Sequence, residues 1–147
     1  MNVTLTVGIV VLQDNNVLLV REGEKSGHLT GVYNTPAGRI EDGETPMHAA
    51  VRELEEESGL NTTEADLVEL PKKYTADIKR KSGETVRFYH TVFYCKKYSG
   101  SLRTGEDVTP EWVTLGKLSS LRLLPNIDDM ILQAREYLAS IHLTHNE

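Results

Sequence analysis

The stretch Arg52-Glu53-Leu54-Glu55-Glu56-Glu57-Ser58-Gly59-Leu60 carries more carboxylates than a helix end built for stability would. At about 3.6 residues per turn, Glu53, Glu56 and Glu57 stand at i, i+3 and i+4 and so share a face. Each like-charged pair at that spacing costs about 0.2–0.5 kcal/mol. At the negative pole of a helix an exposed anion loses about 0.3–1 kcal/mol more. Two readings of these residues alone stand side by side. One is a solvated acidic face. The other is a set of oxygen ligands for a hard divalent cation, since Mg²⁺ is held by carboxylates, water and phosphate oxygens together.

The segment just upstream, Gly38-Arg39-Ile40-Glu41-Asp42-Gly43-Glu44, has glycines that permit tight turns and close backbone approach to a ligand. Glu44 and Arg52 bracket the N-terminal half of the helix and can tie this loop to the acidic face by a charge-assisted bond. From Gly38 to Leu60 the sequence resembles the box of the Nudix hydrolases, Gly-x5-Glu-x7-Arg-Glu-U-x-Glu-Glu-x-Gly-U, with U a bulky aliphatic residue. Gly38, Glu44, Arg52, Glu53, Leu54, Glu56, Glu57, Gly59 and Leu60 occupy every specified position. The match favours the metal reading over the solvated face.

The resemblance implies a mechanism. Glu53, Glu56 and Glu57 would bind Mg²⁺, or Mn²⁺ in its place, with a backbone carbonyl of Ala37 or Gly38 as an extra ligand. Arg52 would orient the glutamates, and Glu53 is the first choice for the base that takes a proton from water. Glu106, in Gly105-Glu-Asp-Val-Thr-Pro-Glu-Trp112, matches the place of an outlying metal-site acid in 8-oxo-dGTP phosphohydrolases; the other reading is an exposed loop acid. Arg39 is the basic residue best placed for phosphate, whereas Arg21 and Arg87 read equally well as surface charges. Leu124-Pro125-Asn126 looks like the Pro-x-Asn region that reads the base in mutator-type members, yet Asn126 also suits a plain helix cap.

The expected reaction is hydrolysis of a phosphoanhydride, converting a nucleoside triphosphate (oxidised ones included) to the monophosphate and pyrophosphate. Pro36-Ala37-Gly38 is spelled as in the ADP-ribose group, so hydrolysis of ADP-ribose, a nucleotide sugar or a dinucleotide is the alternative. A non-catalytic nucleotide sensor is a third reading, and the intact glutamate set argues against it.

The elements that must position these groups are legible in outline. Thr4 to Leu12 reads as a strand, Asp14-Asn15-Asn16 as a turn, and Val17 to Arg21 as the returning strand of a hairpin. Glu22 to Gly31 reads as a surface loop, and Val32 to Thr35 as a short extended segment. Thr45 caps the acidic helix, Pro46 suits its first turn and Gly59 the left-handed position after it. Met47, Ala50, Val51 and Leu54 form its apolar stripe. Tyr74 to Ile78 and Val86 to Lys96 read as strands joined at Lys81-Ser82-Gly83, and Glu111 to Leu115 as another. A last helix runs from about Ile127 to His142. Strands interleaved with two helices give an α/β layered domain with a mixed β-sheet sandwiched between α-helices, and the resemblance implies the α+β arrangement of a Nudix fold.

Composition bounds the partners. The 147 residues suit one domain, and the absence of repeats or a Pro/Gly-rich linker supports a single unit. A formal net charge of −6 repels long nucleic acid and anionic membrane, so neither is an expected partner, and the resemblance implies a small-molecule nucleotide. The single cysteine, Cys95, cannot form an intrachain disulfide and reads as a packing residue. No apolar run approaches the ~20 residues needed to span a bilayer, and the expected location is the cytoplasm. The family resemblance is compatible with a homodimer. The five histidines show no zinc-site spacing with Cys95.

Overall fold

The computed structural model describes residues 3–105 and 107–145. The strands are β1 (Val3–Val10), β2 (Leu12–Gln13), β3 (Asn16–Glu22), β4 (Tyr33–Asn34), β5 (Ala37–Arg39), β6 (Leu67–Glu69), β7 (Tyr74–Lys79), β8 (Thr85–Cys95) and β9 (Val108–Thr114). The helices are α1 (Pro46–Ser58) and α2 (Ile127–His145), with short 3₁₀ turns at Glu64–Asp66 and Leu115–Ser120. At the centre β1 runs parallel to β8, with Thr6 opposite His90 and Ile9 opposite Phe93. Around this pair β5 flanks β1, and β6 and β7 lie antiparallel to β8. A second, antiparallel sheet is built on β3, which pairs with β2, β4 and β9.

The expected mixed sheet between helices is present, but the expected first hairpin is not one continuous pair of strands. The run read as Thr4 to Leu12 is broken at Val11, where the chain passes from the mixed sheet to the antiparallel one. Only Leu12–Gln13 forms the hairpin with β3, around Asp14 at φ 53°. No change in polar and apolar alternation marks the break, because Ile9, Val10 and Val11 are all fully buried, inside on both faces.

Two apolar clusters hold the layers together. On one face α1 sets Ala49, Ala50 and Leu54 against Ile9, Leu18 and Phe93. On the other, α2 sets Ile127, Met130, Ile131 and Ala134 against Val10 and Val92. The α1 stripe is therefore rotated slightly from the expected one: Met47 and Val51 are only partly buried at its edge, while Ala49 and Glu53 turn inward. Cys95 is buried at the end of β8, as expected of a packing residue. Among the described residues no helix is long and apolar enough to cross a membrane.

Candidate active site

The acidic helix is placed by its own ends. Thr45 Oγ1 accepts the His48 N–H at 3.1 Å, Pro46 opens the first turn, and Gly59 closes the last at φ 84°, its N–H donating to Glu55 O at 2.8 Å. Ser58 is buried and donates back to Leu54 O at 2.6 Å, tightening the turn that carries the glutamates.

Arg52 joins that turn to the loop before it. Its Nε and Nη2 donate to the two oxygens of Glu44, both at 2.8 Å, which holds the Glu44 carboxyl well below the usual carboxylate range. Nη2 also donates to Arg39 O at 2.9 Å, and Nη1 to Glu53 Oε1 at 2.7 Å and to Glu56 Oε2 at 3.2 Å. The expected bracket of Glu44 and Arg52 is thus a bidentate pair that clamps β5 to α1.

The three box glutamates divide. Glu53 turns inward and is only 9% exposed, while Glu56 leaves half its side chain in solvent. Glu57 accepts the Ala37 N–H at 2.8 Å. A Cβ at Gly38 would fall on the Glu53 carboxylate, and Gly38 is not in the left-handed region, so glycine is needed for close approach rather than for its dihedral freedom. Glu53 and Glu57 therefore both seat against the Ala37–Gly38 backbone.

Burial sets the electrostatics. It pushes the Glu53 carboxyl up to about 7, against the pull of Arg52. Glu57 is pushed well above the usual range by burial, with the charges of Glu53, Glu22 and Glu56 adding to it and the Ala37 hydrogen bond opposing. Glu22, at the end of β3, is 5% exposed and is raised by burial too. Carboxylates sunk together in this way repel one another, and the Arg52 contact to Glu53 offsets only part of their burial. Among the described residues no three His, Cys, Asp or Glu groups converge to enclose a cation by themselves. The donor set suits a hard divalent ion that keeps water and ligand oxygens for its remaining positions.

Glu22, Glu57 and the Ala37–Gly38 backbone open on a cavity of about 220 Å³, which Glu53 and Glu56 do not line. Its floor is one face of the mixed sheet: Thr6, Phe88 and His90 with Tyr74, Ala76 and Ile78. One wall comes from the second sheet and its loop, through Glu22, Asn34, Gly27 and His28. Another comes from the start of α2 and the residues before it, through Pro125, Asn126 and Met130. His90 contacts Thr6 Oγ1 through Nδ1 at 2.6 Å, and burial lowers its pKa to about 4, so it is neutral at neutral pH. His28 is lowered to about 4 by burial and then by the Arg80 charge.

The other expected site residues fall as follows. Arg39 lines the cavity. Asn126 lines it as well, at φ 71°, with its carbonyl accepting the Met130 N–H at 2.9 Å. That backbone is not the extended form of a side-chain helix cap, and among the described residues no hydrogen bond from its side chain to the helix is present. Arg21 stands 3.9 Å from Glu111, and Arg87 makes a two-point bond to Asp77 at 2.7 and 3.0 Å. Neither lines the cavity. Glu106 lies outside the described residues; its neighbour Asp107 does line the cavity.

Sequence reasoning passed over Glu22, His28, Arg80 and His90. Glu22 and His28 fell in a segment read as surface loop, and the alternation of Phe88 and His90 was the one available hint that both face inward.

A family model described as the NUDIX domain matches residues 3–134. The chain is 37% identical over 65 residues to the 8-oxo-dGTP diphosphatase of Proteus vulgaris, covering 44% of this chain and 57% of that protein. It is 29% identical over 113 residues to the ADP-ribose pyrophosphatase of Methanocaldococcus jannaschii, covering 76% of this chain and 62% of that protein. The fold matches the crystal structure of a MutT NUDIX hydrolase from Burkholderia pseudomallei with a TM-score of 0.74 at 22% identity, over 90% of this chain and 98% of the other. The first curated relatives are matched over only 31–57% of their own length.

Proposed function

This chain belongs to the Nudix family, and on that premise we propose that it is a divalent-metal-dependent hydrolase of nucleoside diphosphate derivatives, cleaving a nucleoside triphosphate to the monophosphate and pyrophosphate. The observation that carries the reading is the seating of Glu53 and Glu57 against the Ala37–Gly38 backbone at the edge of the cavity.

Glu57, Glu53 and the more exposed Glu56 would hold Mg²⁺ or Mn²⁺, with a carbonyl of Ala37 or Gly38. When bound, the ion supplies neutralisation of the diphosphate and a water of lowered pKa. Glu53 is the base, the residue the resemblance to the Nudix box puts first for that role, and its seat against the Gly38 backbone supports the reading. Arg52 donates to one Glu53 oxygen at 2.7 Å and so orients the carboxylate. Arg39 meets the phosphate chain from the end of β5.

The base would lie on the apolar floor between Phe88 and Met130, with Asn126 offering one donor and one acceptor to a purine edge. Its cavity position and its left-handed backbone favour base contact over simple capping. The spelling Pro36-Ala37-Gly38 supports the second reading, ADP-ribose hydrolysis.

The test is product analysis on dNTPs, 8-oxo-dGTP, ADP-ribose and diadenosine polyphosphates with Mg²⁺. Pyrophosphate from a triphosphate, lost in Glu57→Gln, is the expected result. AMP from ADP-ribose alone transfers the chain to the second reading. Binding without turnover of any of them refutes the enzyme and leaves a sensor.

A further inference from the structure

Two segments from different sheets meet over the cavity. The tip of the β7–β8 hairpin reaches the β3–β4 loop, where the Lys81 N–H donates to Gly27 O at 3.0 Å. The Lys81 ammonium donates to Gly23 O at 3.0 Å and to Glu24 O at 2.7 Å. Three hydrogen bonds from one residue thus hold the tip and the loop together.

Arg80, the neighbour of that latch, is turned toward the cavity and is part of its lining. Its guanidinium lies 5.8 Å from the centre of the Phe88 ring. It can lie there because residue 27 is glycine: a Cβ at that position would fall on the guanidinium. Gly27 is outside the left-handed region, so the lack of a side chain, and not a special dihedral, is what the position uses. Glu22 and Asp107 also line the cavity, yet among the described residues no carboxylate stands within ion-pair distance of Arg80. The lining contains two full cations, Arg39 and Arg80.

We propose that Arg80 is a phosphate-contact residue, held in place by Gly27 and the Lys81 latch, which gives the cavity its preference for a ligand with an extended anionic chain. A guanidinium with one face over Phe88 keeps its edge free, and that edge is a fork of N–H donors matched to two phosphate oxygens. A multiply charged ligand entering beside Glu22, Glu57 and Asp107 requires cations in the wall, and Arg39 alone sits at the box end. The inference rests on the hydrolase reading for its choice of nucleotide as probe.

The experiment compares dissociation constants by calorimetry, with Mg²⁺ present, for a non-hydrolysable α,β-methylene analogue of dGTP and for dGMP. Arg80→Ala is expected to weaken the triphosphate analogue by about 10–100-fold, the loss of one charge-assisted contact, and dGMP by under about threefold. Arg80→Lys, which keeps the charge without the fork, falls between. Gly27→Ala leaves the Arg80 side chain intact but displaces its flexible end, and is expected to reproduce the selective loss while melting like the wild type. Equal loss for both ligands, loss for neither, or a wild type that binds the analogue no tighter than dGMP overturns the proposal. Absence of turnover by the wild type would refute the hydrolase reading separately, since the binding comparison needs no cleavage.

Discussion

Replacing Gly38 by alanine isolates the contact on which the site is built. The added Cβ overlaps the Glu53 carboxylate, and an ordinary van der Waals separation requires that group to retreat by about 1 Å. The retreat pulls on the 2.7 Å bond from Arg52 Nη1, whose other donors are already committed to Glu44 and Arg39. A misplacement of about 1 Å at a reacting group costs on the order of 100-fold in rate. Overpacking of this kind destabilises by about 1–3 kcal/mol. For a chain of this size that is a fall of about 2–10 °C in melting temperature, which separates a folded but inactive variant from an unfolded one. The assay pairs pyrophosphate release with a thermal melt. Gly116→Ala serves as control, since a Cβ there meets nothing within 4 Å. Adding Glu53→Asp to Gly38→Ala shortens the acid and should restore the melting temperature, a coupling expected only of residues in contact. Gly38→Ala with activity within about threefold of wild type would refute the argument that the Glu53 carboxylate works from its seat on the Gly38 backbone.

Three further outcomes are expected. In metal-free buffer at about pH 8, Glu57→Gln should melt above the wild type, because the amide removes a charge buried among like charges and still accepts the Ala37 N–H; Mg²⁺ should raise the melting temperature of the wild type and not of the variant. A less stable variant without metal would contradict this. His90, with a folded pKa of about 4 against 6.5 unfolded, binds its proton less readily when folded, so its contribution to stability falls as pH drops from 6.5 toward 4. Glu53 acts with the opposite sign, its folded pKa being raised, so the quantity to measure is the wild-type minus His90→Gln difference in melting temperature at pH 7.5 and pH 5; a difference that does not change with pH refutes the assignment. Gly59→Ala places a Cβ against Arg103 Cβ and Ser101 O at φ 84° and should cost about 1–3 kcal/mol, read as a lowered unfolding midpoint in urea.

Helix α1 was legible in the sequence because everything that defines it is local. Thr45, Pro46 and Gly59 act within a turn of where they stand, and the spacing of Glu53, Glu56 and Glu57 follows from helix pitch alone. The same holds for the Tyr74–Ile78 and Val86–Lys96 hairpin, which closes through its own turn. Pitch also places Arg52 one turn before Glu56, but it does not say which glutamates face protein. That Glu53 and Glu57 turn in and Glu56 stays half in solvent depends on β5 pairing with β1 and carrying Ala37 and Gly38 under the helix.

The cavity was settled wholly by tertiary structure. Glu22, Arg80, His90 and Asn126 lie in four separate segments, and they meet because β1 pairs parallel to β8 while β3 belongs to the other sheet. Continuous burial from Ile9 to Val11 hid that division, since a strand covered on both faces shows no alternation. Burial likewise decided the chemistry: one residue type, glutamate, is held well below its usual pKa at Glu44 by Arg52 and raised to about 7 at Glu53. Composition and spacing name the carboxylates, and only the packed surroundings determine which of them carries a proton.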